Sequence, residues 1–236
     1  MLMIDITFDV YSDTPISKDP DSSSKTLREY HKILWSKKLP NGISFELDTN
    51  TKQLLHHESS LGEFYLSSDS ICNTYSKAKN MQDIVKNISP DEIDKFYKLC
   101  STVGAYIIYP SKKIQNKMTF NIARGTNSKI KDRFDLSLEC IKRHYENNQS
   151  PLSETILRYK EFFNLYGSFK EYVDFYLLQD LVDDKYSSIN FFLPFDDFNR
   201  NPLPINLEEY VNFKSNVTKF VNKRNERILM WSKTIK

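Results

Sequence analysis

The stretch Asn121-Ile122-Ala123-Arg124-Gly125-Thr126-Asn127-Ser128-Lys129-Ile130-Lys131-Asp132-Arg133 holds the densest set of groups able to bind an anion. An apolar alternation runs into a Gly/Thr/Asn/Ser turn and then a helix start, where free backbone N–H groups and the helix dipole favour negative charge. Arg124 and Arg133 carry the planar fork that grips phosphate bidentately, and Asn127 and Lys129 lie between them. These four are the candidate phosphate-binding residues. The spacing matches no phosphate loop, because G-x-x-x-x-G-K-[ST] needs two glycines and this stretch has only Gly125. The competing reading is structural, with Asp132 capping the helix while the two arginines pair with Asp135 and Glu139.

A second group follows an alternating segment: Tyr11-Ser12-Asp13, then Lys18-Asp19-Pro20-Asp21, then Arg28, Tyr30, His31 and Lys32. Acids with one imidazole supply either a general acid/base pair or oxygen ligands for Mg²⁺. His31, Asp13 and Asp19 are the candidate catalytic residues. Against this, an Asp in such a loop often serves as a turn or cap, and a His on a short helix as a hydrogen-bonded structural group. His56-His57-Glu58 has metal-ligand chemistry, but adjacent residues point to different faces and helical zinc sites use H-E-x-x-H, so no metal ligand is assigned. His144 sits near a helix C-terminus, where capping accounts for it. Ser67-Ser68-Asp69 lacks the G-x-S-x-G elbow of a serine nucleophile.

The elements that must position these groups divide in two. Ile4 to Val10 alternates with period two and predicts a strand, followed by a long loop from Tyr11 to Lys25. Thr26 is expected to cap a helix to Trp35, and Pro40-Asn41-Gly42 turns into a strand over Ile43 to Leu47. Glu63 to Leu66 predicts a strand, and Ser68-Asp69 a helical stretch reaching Ile88. Ser89-Pro90-Asp91-Glu92 starts a helix that ends near Thr102. Ala105 to Tyr109 predicts a buried strand, with Lys117 to Ile122 as its hairpin partner. After residue 130 the period becomes 3.6: helices are expected over Asp132 to Tyr145, Ser150 to Tyr166, Ser168 to Leu181 and Asn206 to Trp231, interrupted by a short strand at Ile189 to Leu193. The expected fold is α+β: a largely antiparallel sheet from the strand-rich part, residues 1–125, and a helical layer from the helix-rich part, residues 126–236, in a single domain 1–236.

Composition sets the outer bounds. The 236 residues include 33 Lys+Arg, 31 Asp+Glu, 16 Phe and 14 Tyr, which excludes a disordered or fibrous chain. Basic residues concentrate between Lys112 and Arg133 and again between Lys214 and Lys236, acidic ones between Glu171 and Asp197. Such segregation either meets phosphates or pairs internally. The aromatic pairs Phe162-Phe163, Phe175-Tyr176 and Phe191-Phe192 read as core or partner surface before base-stacking platforms. Cys72, Cys100 and Cys140 are odd in number with no C-x-x-C, so neither a disulfide framework nor a cysteine zinc site is expected, and a cytoplasmic location is. Met1 to Ile6 lacks the charge pattern of a signal peptide, and no apolar run approaches a membrane span.

Three stretches resemble an uncharacterised family of bacterial cytoplasmic proteins: Tyr11 to Asp21 with Leu27 to Lys37, Ala123-Arg124-Gly125 to Leu136, and Tyr172 to Asp180. The resemblance covers nearly the whole chain and brings no activity, so no functional residue follows from it. The residues themselves support a protein that binds or processes a phosphate-bearing partner, nucleotide or nucleic acid, near Arg124, Arg133 and the Tyr11 to Lys32 loop. The alternative is a non-catalytic subunit whose aromatic helical half and acidic patch contact a protein. No membrane partner is expected, and the cofactor, any metal requirement and the oligomeric state are unknown from the sequence.

Overall fold

The computed structural model describes residues 4–50 and 54–234. Met1 to Met3 of the expected N-terminal pattern lie outside them. The segment from Ile4 to Val10 is not a strand, although Ile4 and Val10 are buried as the alternation requires. Its acids close local turns instead: Asp5 accepts from the backbone N–H and hydroxyl of Thr7 (2.8 and 2.7 Å), and Asp9 from the N–H of Tyr11 (2.9 Å). Side-chain acceptors of this kind compete with a β-ladder for the same amides.

The loop that follows is broken by a four-residue helix, α1 (Pro20–Ser23), capped by Asp19. The next helix, α2 (Lys25–Trp35), is capped by Ser24, which accepts from the N–H of Leu27, so the cap lies two residues before the expected Thr26. Leu27, Tyr30, His31, Leu34 and Trp35 form its buried stripe. The Pro40-Asn41-Gly42 turn joins two short antiparallel strands, β1 (Lys37–Lys38) and β2 (Ser44–Phe45). Gly42 sits at φ +83°, a conformation that only glycine adopts at little cost.

A three-stranded antiparallel sheet carries the site. It consists of β3 (Leu55–Ser59), β4 (Gly62–Ser70) and β5 (Tyr106–Pro110), with β4 in the middle. The expected strand at Glu63 to Leu66 continues through Ser68 and Asp69, which pair with Ile108 and Ile107, so the expected helix start there does not form. Every residue of β5 is buried, and pairing with it outweighs the capping preference of Ser68-Asp69. Helix in the following stretch is confined to a 3₁₀ turn at Lys79–Met81 and α3 (Gln82–Val85). The Ser89-Pro90 start opens α4 (Pro90–Cys100) as expected. The partner of β5 is β4; Lys117 to Ile122 instead leads into α5 (Phe120–Thr126), because Thr119 caps it and Phe120, Ala123 and Arg124 share a buried face.

Helices make up the second part: α6 (Phe134–Tyr145), α7 (Ser153–Arg158), α8 (Lys160–Asn164), α9 (Phe169–Phe175) and α10 (Leu207–Ser232). The expected long helix after Ser150 divides at Tyr159, and Ile189 forms only an isolated bridge with Val182. The architecture is α+β. The aromatic pairs serve packing: Phe162, Phe163, Phe175, Tyr176 and Phe192 are buried, and the Tyr166 and Tyr176 hydroxyls meet at 2.6 Å.

Helix α10 is fixed to the sheet by Arg224 and Asn225. Arg224 is fully buried and donates to the carbonyls of Gly104, Tyr106 and Tyr176, and burial pulls its guanidinium down to about 10. Asn225 accepts from the N–H of Gly104 and donates to Thr102 Oγ1, both at 2.8 Å, and a Cβ at Gly104 would collide with its side chain. Arg227 pairs with Asp180 (2.8 Å), Lys214 with Glu92, and Arg143 with Glu139 and Asp197. A share of the segregated charge is therefore matched internally. Cys72 and Cys100 are joined as a disulfide, with Cα atoms 5.4 Å apart, where the odd number and wide spacing of the cysteines argued against a disulfide framework. The strand end after β4 and the last residue of α4 meet in space, a proximity that the sequence separation of 28 hides.

Candidate functional site

Helix α1, the second half of β4 and the start of α5 surround a cleft of about 580 Å³. Asp19, Asp21, Ser68, Asp69, Lys113 and Asn121 are among the residues lining it, with Arg28 at the α2 side. Asp19 turns the chain into α1 by accepting from the N–H of Asp21 (3.1 Å), and Pro20 fixes the first helical φ. This short helix brings two carboxylates of a D-x-D sequence to the sheet. Arg28 is anchored from behind, donating through Nε and Nη2 to the carbonyl of Thr49 (3.3 and 2.7 Å). Asn121 donates to Ser67 Oγ (3.0 Å), while its Oδ1 is buried with no hydrogen-bond partner among the described residues.

Beneath the cleft lies a directed chain of hydrogen bonds. The Trp35 indole N–H donates to His31 Nδ1 (3.0 Å), and His31 Nε2 lies 2.9 Å from Ser68 Oγ. An indole is a donor only, so Nδ1 is the acceptor and Nε2 carries the ring proton. His31 therefore donates to Ser68, whose hydroxyl points to Asp21 at 3.5 Å. The ring is fully buried, and burial followed by the charges of Arg224 and Arg28 lowers its pKa to about 3. A neutral His31 with this tautomer cannot take a proton from Ser68. It positions the serine, and the serine hydroxyl is oriented toward the carboxylate.

The carboxylates outnumber the cation that holds them. Arg124 is fully buried and pairs with Asp69 and with Asp132 (3.1 Å to the latter). Asp132 reaches it from two consecutive left-handed residues, Lys131 and Asp132, at φ +47° and +66°, a conformation that costs energy for residues with a side chain. Burial pushes the Asp69 carboxyl up to about 6 despite Arg124, with Asp132 and Asp19 adding repulsion. Asp21 is pushed well above the ordinary carboxylate range, first by burial and then by Asp69 and Asp19. Adjacent carboxylates of unlike environment are what proton transfer near neutral pH requires.

The expected site residues separate on this geometry. Asp19 lines the cleft, and His31 and Arg124 act on it through Ser68 and Asp69. Asp13 is outside the lining; burial pushes its carboxyl up, but hydrogen bonds from Ser24 Oγ (2.6 Å) and the N–H of Thr26 (2.8 Å) hold it below the ordinary range. It ties the loop to α2. Asn127 accepts from the N–H of Lys129 (2.9 Å) and donates to the Pro151 carbonyl (3.1 Å), which shapes the turn. Lys129 is exposed and also outside the lining. Arg133 is buried against Asp135 and the Pro202 carbonyl (2.9 Å). The arginine clamp is therefore corrected: both guanidiniums are buried in ion pairs, with Asp132 a partner of Arg124 and no helix cap.

Asp21, Asp69, Ser68, Lys113 and Asn121 were not singled out as site residues by sequence reasoning. The D-x-D of Asp19-Pro20-Asp21 was the available signal for one of them. Asp69 had none, because its importance arises from a strand that the local preference argued against.

No curated protein and no solved structure matches the chain. A family model matches residues 4–228, more than nine-tenths of the chain, with no activity attached to it. The stretches singled out in the sequence all fall inside that range. The chain belongs to a family of unknown function, DUF6994.

Proposed function

We propose that the protein binds and processes a phosphate-bearing ligand, a nucleotide or nucleic acid, in the cleft between α1, β4 and α5. The observation that carries this reading is that one cleft is lined both by the half-buried acids Asp21 and Asp69, their carboxyls raised, and by the cations Arg28 and Lys113. Arg28 and Lys113, not the internally paired Arg124 and Arg133, take the phosphate role. In hydrolysis of a phosphate ester, Asp21, held protonated by burial and its neighbours, gives its proton to the oxygen leaving phosphorus while water attacks phosphorus, and Asp69, kept the more acidic partner by Arg124, takes the proton that the water loses. His31 and Trp35 fix Ser68 behind them.

The test is purification at low salt, with mass spectrometry of whatever is released, followed by calorimetric titration of the wild type and of Lys113→Ala with ATP, GTP and a short oligonucleotide. Saturable binding weakened tenfold or more by the substitution is expected. Absence of any bound or titratable phosphate compound overturns the reading. A protein-interaction role is favoured by a different observation: Met118, Ile122 and Leu157 are exposed, and Arg158 beside Leu157 donates to the Met118 carbonyl (3.1 Å). A pull-down depleted by Ile122→Ser would support that role.

A further inference from the structure

The β3–β4 hairpin also carries a second set of chemistry-bearing residues, none of which lines the cleft. Its register sets Glu58 opposite Glu63 and His56 opposite Tyr65. Alternation then puts His56, Glu58, Glu63 and Tyr65 on one face, while His57 turns to the other and stacks on Phe45 with ring centroids 4.0 Å apart. His56 Nε2 lies 3.2 Å from Glu63 Oε1, and one ligand atom from each of His56, Glu58 and Glu63 falls within 4.8 Å of the others. The adjacent-residue objection to His56-His57-Glu58 therefore holds for His57 only. The third group comes from across the hairpin, where sequence spacing does not show it.

A separate feature adjoins this face. His56 and Glu58 form one wall of a hollow of about 580 Å³ whose other lining includes Glu46, Asp48 and Lys32. Glu46, Asp48, Glu58 and Glu63 thus stand around one imidazole and two ammoniums, Lys32 at the hollow and Lys112 over the Tyr65 ring beside Glu63, a remaining excess of negative charge that favours a dication. The backbone of Asp48 bridges to that of His56 in both directions (2.7 and 3.0 Å), fixing the strand that bears the imidazole. An imidazole with carboxylate oxygens is a ligand set for a borderline ion such as Zn²⁺, and three protein ligands leave positions open to water or to a group entering the hollow.

We infer that His56, Glu58 and Glu63 form a divalent transition-metal site on the outer face of the hairpin, open toward the Glu46–Asp48 hollow. Zn²⁺ displaces the His56–Glu63 hydrogen bond and takes both groups as ligands, with Glu58 as the third. This assignment is independent of the phosphate cleft and stands or falls without it.

The test is calorimetric titration of the full chain, with its disulfide oxidised, by Zn²⁺ alone and by Mg²⁺ alone. The variants are His56→Ala, Glu58→Gln and, as a control in the cleft, Asp69→Asn. One Zn²⁺ per chain is expected, weakened about 100-fold or more by His56→Ala and Glu58→Gln, unaffected by Asp69→Asn, and not reproduced by Mg²⁺. Circular dichroism of the variants checks that the substitutions leave the fold intact. Absence of saturable Zn²⁺ binding overturns the proposal. Binding that survives His56→Ala and Glu58→Gln also overturns it, by placing the ion elsewhere in the chain.

Discussion

Arg133 with Asp135 and Arg124 with Asp69 are two arginine–aspartate pairs with buried guanidiniums, nine residues apart at the arginine, and they differ in what surrounds them. Asp135 receives Arg133 Nε on one oxygen (3.1 Å) and Arg133 Nη2 with the Phe192 N–H on the other, and Arg133 also donates to a carbonyl. One cation meets one anion with its acceptors filled. Arg124 faces Asp69 and Asp132 while Asp19 and Asp21 stand nearby, and the surplus opens on a cleft. A balanced pair makes a joint between elements. An unbalanced one stores repulsion that a ligand, a proton or a cation would relieve, and the proposed function rests on that difference.

The largest effect that would sharpen this contrast is Arg133→Met. It strands Asp135 in the interior and should cost about 3–5 kcal/mol in urea unfolding, as removal of one member of a buried pair does. A loss below 1 kcal/mol would break the account of Arg133 as a joint. Trp35→Phe removes the donor that fixes the His31 tautomer and should cost about 1–3 kcal/mol. In the wild type, ¹⁵N shifts should show His31 neutral, protonated at Nε2, from pH 5 to 8; a titration in that range would contradict the directed chain to Ser68. Ser89→Ala, which removes the cap on α4 distant from both pairs, should cost about 1 kcal/mol and leave ligand binding unchanged. Lys113→Ala should change stability by less than about 0.5 kcal/mol while weakening phosphate-ligand binding, since a cation at a cleft wall serves the ligand more than the fold.

The sequence showed much of the second half and less of the first. Caps and period fixed α4, α6 and α10 to within a residue or two, because Ser89-Pro90 and Asn206 are local signals that tertiary packing does not contradict. The expected strand at Ile4 to Val10 failed because its polar alternates were aspartates, which bind their own backbone. Ser68-Asp69 failed in the opposite sense: a capping pair was drawn into β4 by the buried β5 beside it. The site inherited both errors. Asp19, His31 and Arg124 were legible by type, but the side chains that give them meaning, Asp21, Ser68 and Asp69, are joined by pairings across 37 to 55 residues that no local pattern carries. Asp13, Asn127, Lys129 and Arg133 had the same residue types without the convergence.

The central claim is that Asp69 carries excess charge for the sake of the cleft whereas Asp135 does not. Chemical denaturation of the wild type, Asp69→Asn and Asp135→Asn between pH 4 and 8 tests it directly. A carboxyl raised from 3.8 to about 6 stabilises the fold fully below the unfolded value, and that contribution is lost as pH rises through about 6. Asp69→Asn should therefore gain on the wild type as pH rises across that window and lie within about 1 kcal/mol of it at pH 7, whereas Asp135→Asn should lose about 3 kcal/mol or more. Equal losses for the two variants at pH 7, with no change in the pH profile on replacing Asp69, would contradict the distinction between joint and site.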